Sequence, residues 1–239
     1  MSELTARQRR GLWLRLALFV VAVLLMFGVM HAPRDRLLSI VPLELSQSAA
    51  AFKELVVKGW QETGAAPDGA PSFWRLRGNL FVDSVLLVPA YVALLLFFTL
   101  GFVPVRDGHA IRRQLIGVPA VAAGLFDIAE NGMTGRALDD LIDLALVDAT
   151  VADVSLAARL KWALLAVALA LLAWRVWAAR EGDKRWRSVA ATLCALAALA
   201  FGYGAARSSA LALDGGLVGA VLPALAALSW RALRRQPVS

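Results

Sequence analysis

The sequence predicts an all-α protein, a polytopic bundle of transmembrane helices. Of its 239 residues, 59% are hydrophobic and only 18% are charged, and the mean hydropathy is +0.66. A soluble domain carries about a quarter charged residues. Apolar runs of about 20 residues recur along the chain, and this length crosses a hydrocarbon core about 30 Å thick. These observations exclude a soluble globular class and predict a protein that crosses the membrane several times.

Six apolar runs have the length of a membrane span, and together they form a single predicted membrane domain. They are residues 11–30, 79–103, 114–131, 158–179, 188–206 and 210–230. The first run follows three arginines, as a secretory signal would. It is longer than the apolar region of a signal peptide, and no small-x-small cleavage pattern follows it. We therefore predict a retained anchor.

Basic residues predict the orientation of the six spans. The segments 1–11, 104–113, 175–187 and 229–239 together hold 14 Lys and Arg, whereas the alternate segments hold 9 over nearly twice the length. The positive-inside rule then places both termini in the cytoplasm. The net charge of +7 therefore reflects orientation in the membrane, and no nucleic-acid partner is expected. The single cysteine, Cys194, excludes an intrachain disulfide, and the sequence predicts no cofactor and no metal site.

The outer loop, residues 31–78, is predicted to contain an interfacial helix near residues 46–61. The polar residues 46–48 suit a helix start. An apolar stripe follows at helical spacing, formed by Ala49, Phe52, Val56 and Trp60. Such a helix is expected to lie along the outer surface of the bilayer. The second outer segment, 132–157, is acidic and is predicted to hold a short interfacial helix of its own.

Five polar residues within the second, third and fourth predicted spans form the candidate site: Asp83, Asp127, Glu130, Asn131 and Lys161. Asp127, Glu130 and Asn131 share one helical face, because they stand at positions i, i+3 and i+4. All five fall in the outer leaflet, where a charge within a span is costly and invites a functional interpretation. Two carboxylates on one face repel each other unless a proton or cation lies between them. The alternative is a structural network in which Lys161 locks the helices together.

The same stretch of chain carries a resemblance. Phe81-Val82-Asp83-Ser84 with Tyr91, then Ala123-Gly124-Leu125-Phe126-Asp127-Ile128-Ala129-Glu130-Asn131, then Ala158-Arg159-Leu160-Lys161-Trp162, resemble a pattern in uncharacterised bacterial polytopic membrane proteins. That pattern has an Asp in one span, D-x-x-E-N in the next and a Lys in the third. The resemblance covers residues 80–165, and it implies that these side chains belong together but implies no activity. With 21 Arg against 4 Lys, it favours the bacterial cytoplasmic (inner) membrane.

Three functions are compatible with these observations. In the first, the site binds or transports a proton or small cation: Asp127 and Glu130 bind it, Lys161 supplies the counter-charge, and Asp83 and Asn131 orient the group. In the second, the carboxylates are the acid/base pair of a membrane enzyme that acts on a lipid or lipid-linked substrate. In the third, the protein is an assembly or stability factor. The expected partners are membrane lipids and a small cation or proton, and assembly into a homo-oligomer is left open.

Overall fold

The computed structural model describes residues 6–30, 40–61, 71–101, 110–178 and 184–234, and in these ranges the chain forms helices and no strand. Three short π-helical turns, Asp83–Leu87, Phe97–Gly101 and Leu217–Val221, continue or join α-helical segments. The α-helices are α1 (Ala6–Met30), α2 (Ile40–Glu44), α3 (Ala49–Gln61), α4 (Pro71–Val82), α5 (Val88–Leu96), α6 (Ala110–Ile142), α7 (Asp148–Ala178), α8 (Lys184–Arg207), α9 (Ala210–Gly216) and α10 (Leu222–Arg234).

Four helical stretches among the described residues are long and apolar enough to cross a membrane: Leu76–Thr99, Asp148–Ala178, Arg185–Arg207 and Ala210–Ala232. They cover the second, fourth, fifth and sixth predicted spans. The other two predicted spans are helical as well, within α1 and α6. The part of α6 that corresponds to the third predicted span has a lower mean hydropathy than these four stretches, because it carries polar residues of the candidate site. The described part of the chain is therefore all-helical, with four helices that are compatible with a membrane protein.

Helix α7 is the central element of the bundle. It packs against α6 on one side and α8 on another, and α8 in turn packs against α9. On α7, Trp162 meets Phe201 of α8 edge to face, with ring centroids 4.9 Å apart. Gly216 lies so close to α8 that an added Cβ would come within 2.7 Å of the Ala200 side chain. Lys161 lies on a buried face of α7.

Helices α6 and α7 extend beyond the predicted spans and pair as a long hairpin. The turn between them includes Leu144, whose φ is 58°. The prediction of a separate short interfacial helix in 132–157 is wrong, because residues 132–142 continue α6 and residues 148–157 begin α7. The apolar positions of this acidic segment form a second core where the two helices meet: Leu138, Leu141, Val151 and Val154 are buried there.

The helix predicted near 46–61 is present as α3. Its first turn begins at Ala49, whose N–H donates to Asp148 Oδ1 at 2.7 Å, and Ser48 Oγ accepts from the N–H of Ala51. Two members of the predicted stripe, Phe52 and Val56, are fully buried in the core of the α6–α7 hairpin. This stripe therefore packs against protein rather than facing a bilayer surface. The side chain of Trp60 lies outside the described residues.

Candidate functional site

Lys161 forms the centre of a buried cluster. Its side chain is on α7 and only 3% exposed, and its ammonium donates one hydrogen bond to each of three carboxylates. Nζ lies 2.7 Å from Glu130 Oε2, 3.0 Å from Glu44 Oε2 and 3.1 Å from Asp127 Oδ1. An ammonium has three N–H donors, so this arrangement uses all of them. The cluster thereby ties together α2, α6 and α7.

The three carboxylates differ in the side chains that accompany Lys161 as their partners. Tyr91 donates its hydroxyl to Asp127 Oδ2 at 2.8 Å, and Thr134 donates to Glu130 Oε1 at 2.8 Å. Glu44 accepts from Lys161, and the side chain of Trp162, beside the Glu44 carboxylate, also favours its ionised form. Hydrogen bonds to a carboxylate favour its ionised form. Asp127 and Glu130 each accept one hydrogen bond in addition to that from Lys161.

A second polar contact adjoins the cluster and involves Asp83 and Asn131. The Asn131 amide Nδ2 donates to Asp83 Oδ2 at 2.8 Å and to Ser84 Oγ at 3.1 Å, and Ser84 donates in turn to the Leu80 carbonyl. Both Asp83 and Asn131 are buried. Asn131 Oδ1 is buried without a hydrogen-bond partner among the described residues. Asn131 therefore has acceptor capacity left over at this contact.

The structure brings the five sequence-predicted residues into these two adjoining contacts. Lys161 meets both carboxylates of the predicted pair, Asp127 and Glu130, and Asn131 meets Asp83. The i, i+3, i+4 spacing on α6 places both contacts within about one turn of helix. The expected counter-charge and orienting contacts are thus present in the geometry, whereas a function for these residues stays a prediction.

The sequence interpretation missed Glu44 and Thr134 and assigned no role to Tyr91. Glu44 is the one charged residue in the apolar segment Ile40-Val41-Pro42-Leu43-Glu44-Leu45, and a lone charge in such a segment is the signal that could have found it. Thr134 stands four residues after Glu130, so the helical spacing already used for Asp127 would have predicted their contact.

Residues 40–48 hold Glu44 in place. Leu43 is buried in the hairpin core and Leu45 in the main core of the bundle, so the glutamate lies between two apolar anchors. Beyond them, Gln47 donates to Ser155 Oγ and accepts from Arg159 at 2.8 Å. This segment is therefore fixed on α7 at both sides of Glu44.

Close contact between α5 and α6 positions Asp127. At Gly124, one turn before Asp127, an added Cβ would lie 2.7 Å from Val92 Cγ2 and 3.3 Å from Val88 Cγ1. Only a residue without a Cβ allows this approach of the two helices. The contact brings Tyr91 within hydrogen-bond distance of Asp127.

The cluster contains more acidic than basic groups. With every group ionised, Lys161 and its three carboxylates together carry a formal charge of −2, which is unfavourable away from water. Burial raises the pKa of Glu44 above its ordinary value, although the attraction of Lys161 opposes this. The ammonium already lies between the carboxylates, so a metal cation would have to displace it to bind all three. Proton binding and acid/base chemistry are the reactions that this arrangement suits.

Comparisons with protein-family models, with curated proteins and with solved structures find no match, so the geometry of the site carries the functional argument.

Proposed function

We propose that the chain is a six-span protein of the bacterial cytoplasmic membrane, with both termini in the cytoplasm, and that its Lys161 cluster binds and releases a proton. Helices α1 and α6 have 25 and 33 residues, and about 20 suffice to cross a bilayer. Trp13, Trp174 and Trp230 are exposed on the bundle. Tryptophan favours the headgroup level, and each of the three lies at a boundary that the positive-inside rule makes cytoplasmic.

The observation that carries proton binding is the excess of buried carboxylates over buried cations in one contact network. Three carboxylates share one ammonium, and Asp83 lies beside them in a second contact. Desolvation of an unpaired carboxylate costs far more than protonating it, so buried acids of this kind take up a proton. The cluster therefore holds at least one proton near neutral pH.

Glu44 is the group that carries this proton. It lies on α2, outside the predicted spans, and burial raises its pKa. By the proposed orientation, α2 belongs to the outer loop. The proton then exchanges with the outer side of the membrane.

Proton binding at Glu44 changes the connection between α2 and α7. An ionised Glu44 accepts a charge-assisted hydrogen bond from Lys161, and such bonds are roughly twice as strong as neutral ones. A protonated Glu44 is held less tightly, and the ammonium is then shared mainly by Asp127 and Glu130. This makes the position of α2 dependent on proton occupancy, as a transport cycle requires.

The test compares the pH dependence of thermal stability in the wild-type protein, in Glu44→Gln and in a control, Asp153→Asn, which removes an exposed carboxylate of α7. Between about pH 5 and 8, a raised carboxyl pKa makes the folded wild-type protein lose stability as the pH increases. We expect Glu44→Gln to flatten this dependence and Asp153→Asn to keep it.

A wild-type protein whose stability is indifferent to pH in this range contradicts proton binding. Stability changes in Glu44→Gln with an unaltered pH profile would assign the cluster the role of a structural lock, as in an assembly or stability factor. Stabilisation by added sodium or potassium at constant pH and ionic strength would indicate a cation in place of the proton, because ligand binding to the folded state raises its stability.

A second candidate is a membrane enzyme acting on a lipid or lipid-linked substrate, and an open groove beside Asn131 favours it. The carboxylates of α6 would supply general acid/base chemistry. Incubation of the protein in lipid vesicles, followed by mass spectrometry of the lipids, tests this candidate. Turnover by the wild-type protein that Glu130→Gln abolishes would favour the enzyme over the proton-binding protein.

A further inference from the structure

An open groove of about 500 Å³ runs between α6 and the helix that continues from α4 into the Asp83–Leu87 turn. One wall follows Arg77, Phe81 and Ser84, which recur at helical spacing along one face. The other wall follows α6 from Ile128 to Asp139. The 11 steps from the first to the last of these residues correspond to about 16 Å at 1.5 Å per residue. The groove is therefore long enough for a headgroup and the first part of an acyl chain.

Polarity changes along the groove. Arg77, Arg136 and Asp139 lie at one end, where Arg77 forms an ion pair with Asp139. Phe81 and Ile128 line the other part, and their side chains are 67% and 44% exposed. In the proposed orientation the charged end lies toward the outer surface and the apolar part toward the bilayer centre. A phospholipid of the outer leaflet has the same order of polar and apolar groups.

The charge at the polar end suits an anion. Two arginines and one aspartate line it, for a formal net charge of +1. Arg136 is exposed, and Arg77 is oriented by its contacts with Asp139 and the Gly135 carbonyl. Guanidinium groups recognise phosphate oxygens with paired N–H donors. Both guanidinium groups therefore line the polar end of the groove, Arg77 in its ion pair with Asp139 and Arg136 exposed.

Two glycines keep the groove open. Gly132 and Gly135 lie on its α6 wall, inside a long helix, and a Cβ added at either would meet nothing within 4 Å. Glycine inside a helix costs about 1 kcal/mol relative to alanine. No close helix contact requires these two glycines, in contrast to Gly124. Their effect is to leave space beside the arginines.

We propose that this groove binds an anionic phospholipid, with its phosphate between Arg77 and Arg136 and an acyl chain along Phe81 and Ile128. The proposal rests on the membrane placement given above and is independent of proton binding by the Lys161 cluster. Asn131 belongs both to the groove wall and to the contact with Asp83. Lipid occupancy is thereby adjacent to the buried cluster.

The experiment measures lipid binding to the purified full chain in detergent by native mass spectrometry. Phosphatidylglycerol is compared with phosphatidylcholine of identical acyl chains. We expect phosphatidylglycerol to be retained preferentially, and Arg136→Gln to weaken its binding roughly tenfold, the effect of losing one charge-assisted contact. The matched control is Arg207→Gln, which removes an exposed arginine at the end of α8, away from the groove, and should leave binding unchanged.

Two further arms test the groove and the source of the phosphate. Gly132→Leu fills open space and should reduce binding of both lipids, and soluble glycerol phosphate should fail to displace phosphatidylglycerol. Equal retention of the two lipids by the wild-type protein overturns the proposal, as does equal loss in Arg136→Gln and Arg207→Gln. Displacement by soluble glycerol phosphate would also overturn it, since the site would then recognise a phosphate ester without a membrane. These outcomes are independent of the pH profile that tests proton binding.

Discussion

Replacement of Lys161 by methionine tests the cluster most directly. Methionine keeps an unbranched chain of similar length but removes the ammonium that bonds Glu44, Asp127 and Glu130. Removing one partner of a buried ion pair costs about 3–5 kcal/mol, and three carboxylates lose their partner here. We therefore expect Lys161→Met to lower the free energy of unfolding by about 4 kcal/mol at pH 8.

This loss is measurable as a shift of the midpoint of thermal unfolding. For a chain of this size, 1 kcal/mol corresponds to about 2–4 °C, so the expected decrease is roughly 8–16 °C. The decrease should become smaller at pH 5, because the unpaired carboxyl groups then take up protons. Lys53→Met removes an exposed lysine of α3 and serves as the control, with a shift of at most about 2 °C.

The double variant Lys161→Met with Glu130→Gln decides whether the charges interact. Neutralising Glu130 removes one of the carboxylates that Lys161→Met leaves unpaired, so part of the lost stability should return, with a coupling of about 1–3 kcal/mol. Additive losses in the two single variants and the double variant would refute the reasoning. A shift for Lys161→Met no larger than that of Lys53→Met would refute it as well.

Three further variants probe the surroundings of the cluster. Gly124→Ala should lower stability by about 1–3 kcal/mol in thermal unfolding, because the new methyl group collides with Val92 and overpacking outweighs the gain in helix propensity. Tyr91→Phe should cost about 1.5–3 kcal/mol in the same assay, since it removes the hydrogen bond to the Asp127 carboxylate without changing the packing. In Glu44→Gln the pH dependence of thermal stability should flatten. In the wild-type protein, the raised pKa of the Glu44 carboxyl contributes stability that is complete below the ordinary pKa and is lost as the pH increases through the raised value. Measurement of the unfolding midpoint as a function of pH tests this.

The helical class and the shared face of the polar residues on α6 could be predicted because they depend on local rules. Apolar length predicts a span, and the i, i+3, i+4 spacing of Asp127, Glu130 and Asn131 predicts a shared face whatever the fold. A common depth in the membrane makes a contact with Lys161 possible, but depth alone does not establish that α6 and α7 are neighbours. The structure shows these helices side by side.

Contacts made by the outer loop could not be predicted in this way. Glu44 reaches Lys161 across 117 residues of sequence, and this approach depends on how Leu43 and Leu45 divide between two cores. The apolar stripe of α3 predicts only that this face has an apolar partner. The pattern does not distinguish lipid from protein, so the sequence alone could not exclude the bilayer surface. The hairpin that covers Phe52 and Val56 arises only when α6 and α7 continue past the membrane.

The wide turn at Asp83–Leu87 changes how spacing along this helix should be counted. Asp83 and Tyr91 both form hydrogen bonds with residues of α6, although they stand eight residues apart. In a regular α-helix, with about 100° per residue, two side chains at this spacing would point about 80° apart. The N–H of Val88 donates to the Asp83 carbonyl, five residues back, so the turn absorbs one extra residue. The remaining seven residues make about two full α-helical turns. A chain lacking Val85 should therefore keep both contacts in a regular α-helix, which means that this position tolerates a change in length while it preserves the facing side chains.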